Sequence, residues 1–132
     1  MKQERTYYEE ARHYLDNADE TLKKSRKEGI YYTDLKYVIS ALGIAYAGVE
    51  SAAKWYLKLK GVPLKSAKVD QIKEALSKTD KKMLNRFNNL YTTLHIEGYY
   101  GTPSDSVVIA LNLKRAKEFI EPLKHYKEEV VY

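Results

Sequence analysis

The chain has 132 residues, a formal charge of +5 and no cysteine. A chain of this length buries roughly two-thirds of its unfolded surface, enough for one core in a single domain over residues 1–132. The missing cysteines exclude disulfides, thiolate metal sites and cysteine nucleophiles.

No apolar run approaches the roughly 18 residues that cross a bilayer. The start, Met1-Lys2-Gln3-Glu4-Arg5, carries no apolar signal core. A soluble cytoplasmic protein with no membrane partner is expected.

The first helix is predicted from about Glu4 to Glu28. Tyr7, Tyr8, Ala11, Tyr14, Leu15, Ala18 and Leu22 share one face, and Gly29 is placed to end it. The second opens near Thr33 or Asp34 and closes at Gly61, before Val62-Pro63. Its apolar residues Leu35, Val38, Ile39, Leu42, Tyr46, Val49, Ala52, Ala53, Tyr56 and Leu57 recur at helical spacing without a break. Small residues such as Ala41, Ala45 and Gly48 would let neighbouring helices come close, so this helix is the expected centre of packing.

A shorter helix is predicted over 67–77, with Ser66 as its cap and Val69, Ile72, Ala75 and Leu76 as its apolar face. Another spans about Lys81 to Ile96, through Met83, Leu84, Phe87, Leu90, Tyr91 and Leu94. The pattern leaves open whether residues 67–96 are two helices or one bent near Thr79. Gly98-Tyr99-Tyr100-Gly101-Thr102-Pro103 reads as the clearest loop. Ser104-Asp105-Ser106 then starts a last helix that packs through Val108, Ile109, Leu111, Leu113, Ala116, Phe119, Ile120 and Leu123, with Pro122 kinking or ending it. No strand is predicted. The expected class is all-α, an up-and-down antiparallel bundle of four main helices, the third split or kinked.

Residues 54–82 hold nine lysines against Asp70, Glu74 and Asp80. Such a region can meet phosphates or an acidic partner. It can also simply offset a helix C-terminus and solubilise a connector, and the absence of arginine from it favours that plainer role. Lys65, Lys68, Lys78, Lys81 and Lys82 are its candidate contacts. Thirteen tyrosines are many for this length. Tyr7, Tyr14, Tyr46, Tyr56 and Tyr91 fall on apolar stripes, whereas the pairs Tyr31-Tyr32 and Tyr99-Tyr100 lie in or beside connections, where one of each pair is open to a partner.

Catalytic and metal patterns are sparse. A diiron bundle needs two Glu-x-x-His motifs, and only Glu10-Ala11-Arg12-His13 fits. There is no metalloprotease helix, phosphate loop or nucleophile elbow. No metal and no cofactor are expected. His95 has the one distinctive histidine context, with Tyr91 a turn earlier and Asn88 seven residues earlier on nearly the same face. These three are the candidate catalytic residues, set against a structural role in which His95 caps carbonyls at a helix end or packs against a tyrosine.

The central helix, from Tyr37-Val38-Ile39-Ser40-Ala41 through Ala45-Tyr46-Ala47-Gly48-Val49-Glu50-Ser51-Ala52-Ala53-Lys54, resembles that of HEPN-type helical bundles, in particular an uncharacterised bacterial branch. Leu94-His95-Ile96-Glu97-Gly98-Tyr99-Tyr100-Gly101 and Ala116-Lys117-Glu118-Phe119-Ile120 extend the likeness over most of the chain. The resemblance implies an up-and-down bundle, commonly a homodimer, that cleaves RNA or accompanies a nucleotidyltransferase. The group's ribonuclease motif places an arginine before the histidine with four to six residues between them. Here those positions before His95 hold Asn88, Asn89 and Leu90, while Arg86 is too early and on the opposite helical face. The expectation is therefore a non-catalytic interaction module with a nucleotidyltransferase or RNA as partner. The alternative is a degenerate metal-independent ribonuclease using His95.

Overall fold

Uninterrupted helical spacing, with no proline inside it, produces α2 (Leu35–Leu59), the 25-residue helix around which the rest is arranged. The computed structural model describes residues 5–101 and 103–126, except for the side chains of Tyr99 and Tyr100. Val38, Ala41, Leu42, Ala45, Val49, Ala53 and Leu57 of α2 are wholly buried. Leu35 and Ile39, expected on the same buried stripe, are exposed, because among the described residues no other element covers the first turns of α2 on that side.

Before it, α1 (Tyr7–Leu22) starts with a capping box. The Glu9 N–H donates to Thr6 Oγ1 at 3.1 Å and the Thr6 N–H donates to the Glu9 carboxylate at 3.2 Å. The predicted start at Glu4 lies outside the described residues. The helix ends at Leu22, well short of Glu28. Along the seam with α2, Gly48 is indispensable space: a Cβ there would stand 2.7 Å from the Cβ of Tyr14. This is the most extensive helix packing in the molecule.

Between α1 and α2 the chain makes a small antiparallel hairpin, β1 (Lys27–Glu28) and β2 (Tyr31–Tyr32), which corrects the expectation of no strand. Gly29 does not end a helix; it occupies the hairpin turn at φ +60. Ile30 beside it has no positive φ, which makes this a type II′ turn. Strands of two residues are too short to show alternation, so sequence periodicity could not find them. Asp34 stands at the N-cap of α2 without capping it, because its carboxylate accepts from the Arg26 side chain at 2.8 and 3.0 Å and from the Arg26 N–H at 2.9 Å. Those bonds hold the Asp34 carboxyl well below the usual carboxylate range.

After Gly61 (φ +76) and an irregular connector, α3 (Val69–Thr79) begins with Lys68 at its N-cap, not Ser66. α4 (Lys81–Leu90) follows at once. The two are separate helices. Asp80, in extended conformation at φ −158, ends one and caps the other, accepting from the Met83 N–H at 3.0 Å and from the Tyr56 hydroxyl at 3.0 Å. Among the described residues five helices of ten or more residues therefore replace the predicted four, the third being split in two.

α4 runs on as a π-helix over Tyr91–Ile96 and a last α-helical turn, α5 (Glu97–Tyr100). The predicted loop at Gly98 is thus helical. Gly98 is buried against α2, where an added Cβ would lie 3.2 Å from Leu42 Cδ1. Thr102 of that predicted loop lies outside the described residues.

Asp105 caps α6 (Ser106–Ile120), accepting from the Val107 and Val108 N–H groups. Ile109, Leu113, Ala116, Phe119 and Ile120 reach the core, but Val108 and Leu111, predicted to pack, are each 45% exposed. Pro122 ends α6 in a 3₁₀ turn, Glu121–His125. The Tyr32 N–H donates to Ser104 O and the Ser106 N–H to Ile30 O, each at 2.8 Å, so the hairpin brings the starts of α2 and α6 to one end of the molecule.

Candidate functional site: an aromatic and histidine cluster at the π-helical segment

Tyr91 and His95 both lie in the π-helical stretch, whose wider turns re-aim side chains and which recurs at functional sites. There the His95 ring stacks on Tyr46 of α2, with centroids 4.7 Å apart and planes 22° from parallel. Tyr91 lies 5.4 Å from His95 and meets Tyr46 edge-on at 5.9 Å. From α3, Lys73 places its ammonium 4.1 Å from the Tyr91 ring centre, inside cation–π range.

The electrostatics of the cluster are set by α2. Tyr46, Glu50 and Lys54 stand at successive four-residue intervals. The Tyr46 hydroxyl donates to Glu50, and Lys54 donates to the Glu50 carboxylate at 3.1 Å. Burial first, and the Glu50 charge second, push the Tyr46 phenol far above its ordinary value. It remains a protonated donor at any physiological pH. Tyr46 is therefore no base or nucleophile in this setting.

His95 is exposed, and among the described residues no hydrogen bond is made to its ring. A histidine base needs a partner that fixes its tautomer, and among the described residues no carboxylate or carbonyl fills that place. Asn88, proposed to assist it, has a buried Oδ1 without a hydrogen-bond partner, as does the Thr93 hydroxyl. Arg86 lines a groove between α4 and α6, whereas His95 stacks on Tyr46 of α2. The alternative role as a cap at a helix end also fails, since the helix continues into α5; packing against a tyrosine is what His95 does.

The other candidate residues are dispersed. Tyr31 is 54% exposed in the hairpin, while Tyr32 is half-buried with the Lys27 ammonium 5.6 Å from its ring. Tyr99 and Tyr100 sit on α5, and their side chains lie outside the described residues. Lys65, Lys68, Lys78, Lys81 and Lys82 are all exposed, but they form no uniform basic surface. Lys65 and Lys78 share a cleft with Glu74, to which Lys78 is paired at 3.3 Å, and Lys81 and Lys82 lie beyond the Asp80 break. Glu10, of the lone Glu-x-x-His word, is paired with Arg5 at 3.1 Å. Among the described residues no three histidine, aspartate or glutamate side chains converge on a metal-sized site. Sequence reading missed Lys73 and Glu50. The four-residue spacing of Tyr46, Glu50 and Lys54 was a visible signal for the second, whereas Lys73 comes from a different helix and left none.

These observations define an all-α helical bundle, and among its described residues no helix is long and apolar enough to cross a membrane. The chain belongs to the family described as a domain of unknown function, DUF5618, whose pattern matches residues 6–125. It is also similar to the solved structure of a protein of unknown function from Dyadobacter fermentans, with 34% sequence identity and a TM-score of 0.78. That match covers 91% of this chain and 95% of the other. No curated protein matches the sequence.

Proposed function

We propose that this protein is a non-catalytic, HEPN-like helical module that pairs with a second copy of itself and engages a macromolecular partner, an RNA or a nucleotidyltransferase. The observation that carries self-association is the apolar end of the bundle. Among the described residues, Ile30, Tyr31, Leu35, Ile39, Val107, Val108 and Leu111 are the exposed large hydrophobic residues, and all belong to the hairpin or the first two turns of α2 and α6. Those three segments meet at one end, through the hydrogen bonds of Ile30 and Tyr32. Together the seven expose on the order of 600 Å², close to the ~800 Å² that each partner contributes to a standard-size interface.

Sedimentation tests this reading. Wild-type protein is expected to run as a dimer at micromolar concentration, and Val107→Asp with Leu111→Lys as a monomer with unchanged helicity. Asp at the second residue of a helix and Lys in its interior are both compatible with α6. A wild type that stays monomeric would end the self-association claim.

The non-catalytic reading is supported by the unanchored imidazole of His95 and the protonated phenol beside it. Ribonuclease activity is the second reading, favoured by one feature: His95 is exposed next to Tyr91, with the Asn88 amide oxygen, unpartnered among the described residues, one turn before Tyr91. Incubation with mixed RNA separates the two. No cleavage is expected; cleavage that His95→Ala abolishes would replace the binding module with the enzyme.

A further inference from the structure

The chain has five arginines, and they fall into two groups. Arg5, Arg12 and Arg26 are each paired with a carboxylate, at 3.1, 3.3 and 2.8 Å. Arg86 and Arg115 have no such partner among the described residues, and both line the same groove between α4 and α6. Its volume is about 360 Å³. The remaining polar side chains of its wall, Asn85, Asn89 and Glu118, are equally unused: none makes a hydrogen bond or ion pair among the described residues. The acidic cleft at the end of α1 is the opposite case, since Asp19 there is bound to Lys117 at 2.8 Å and Glu20 to Lys23 at 3.0 Å.

The floor of the α4–α6 groove is firm. Leu90 and Phe119 close it and are buried, and Phe119 packs on Phe87 with ring centres 6.1 Å apart. The five polar residues above are all exposed, so none of them is needed by the core. Spacing then narrows what fits. Asn85 and Asn89 are four residues apart on a helix, about 6 Å along its axis. Two residues of extended chain advance about 6.6 Å. Each carboxamide offers a donor and an acceptor, as does each peptide unit. A guanidinium matches a carboxylate in a two-bond fork. Glu118 adds an acceptor for a peptide N–H.

We propose that the α4–α6 groove is a docking site for an extended, acidic peptide segment of a partner protein, with Asn85 and Asn89 holding its backbone and Arg86 and Arg115 holding its carboxylates. Lys82, one turn before Arg86 on α4, extends the positive edge of the groove. The groove shares no lining residue with the apolar end, although Arg115 follows Leu111 by about one turn on α6.

The test is an NMR titration of the full chain with an octapeptide of alternating glutamate and alanine. Its glutamine–alanine counterpart, an octameric oligouridylate and inorganic phosphate serve as further arms. The glutamate peptide is expected to shift amides of α4 and α6 and to bind about tenfold more tightly than the glutamine peptide. Arg86→Gln with Arg115→Gln should erase that preference. Asn85→Ala with Asn89→Ala should weaken both peptides severalfold while leaving any response to phosphate unchanged.

The proposal is overturned if millimolar glutamate peptide leaves α4 and α6 unperturbed, or if the two peptides bind alike. It is also overturned if oligouridylate binds more tightly than the peptide and ignores the asparagine substitutions. Sedimentation of the same variants reads self-association separately, so the two claims can fail independently.

Discussion

Leu42 and Leu111 are the same residue near the starts of two helices that begin at one end of the molecule, yet Leu42 has no exposure and Leu111 is 45% exposed. Each stands in a helical apolar pattern. The difference lies in what faces them. Leu42 meets Gly98 of α5, where the missing side chain lets the two backbones close in, and α1 crosses the same helix at Gly48. Leu111 faces outward on α6, in a patch that continues through Val107 and Val108 to the hairpin. An apolar stripe thus reports that a side chain wants cover, and the fold decides whether this chain or another supplies it.

Truncation sharpens that contrast. Leu42→Ala is expected to lower unfolding stability by about 2–5 kcal/mol in urea, because the cavity beside Gly98 cannot collapse fully. A loss below about 1 kcal/mol would mean that α5 is loosely seated. Gly48→Ala should cost about 1–3 kcal/mol, since the new methyl meets a Cβ rather than the yielding tip of a side chain. Thermal melts that matched wild type would show the α1–α2 seam to be wider than described.

Asp80→Ala should cost about 1–2 kcal/mol by uncapping α4. This effect depends on pH. The Met83 N–H, followed by the Tyr56 hydroxyl, holds the Asp80 carboxyl below its ordinary value, so the folded state binds a proton less readily than the unfolded one. The stabilisation is therefore complete above the unfolded value of about 3.9 and lost as pH falls through the lower folded value. Wild type and variant should converge in stability at acid pH. A gap that stayed constant would assign the effect to packing. Tyr56 is the reciprocal partner; burial, and then Asp80, push its phenol up to about 12.

Leu111→Ala closes the series, with a change in the monomer's stability within about 0.5 kcal/mol. Under the proposed self-association its effect should appear instead as weaker association by sedimentation. The same chemical deletion is thus expected to read out as folding energy in one helix and, if the chain self-associates, as assembly in the other.

Much of the architecture was legible because helices are local. Spacing located α1, α2 and α6, Gly61 and Pro122 marked true helix ends, and Tyr46, Phe87 and Ile109 were correctly assigned to the core. The candidate site was legible in one part: His95 and Tyr91 sit together as their spacing implied. Tyr46 as the surface under His95, and Lys73 over Tyr91, join residues far apart in sequence and had no local signature. Nor did the groove of Arg86 and Arg115, which comes from facing two separate helices.

The sequence by itself determined that this chain is helical and where most helices run, because backbone hydrogen bonding and side-chain period act within a few residues. Only the tertiary structure decided that Asp80 splits α3 from α4, that the Gly98 segment is helix rather than loop, and which apolar faces stay uncovered. Those outcomes depend on close approach between segments distant in the chain: Asp80 is held by Tyr56, and Gly98 by Leu42. A local pattern can supply the groups for such contacts but not their meeting.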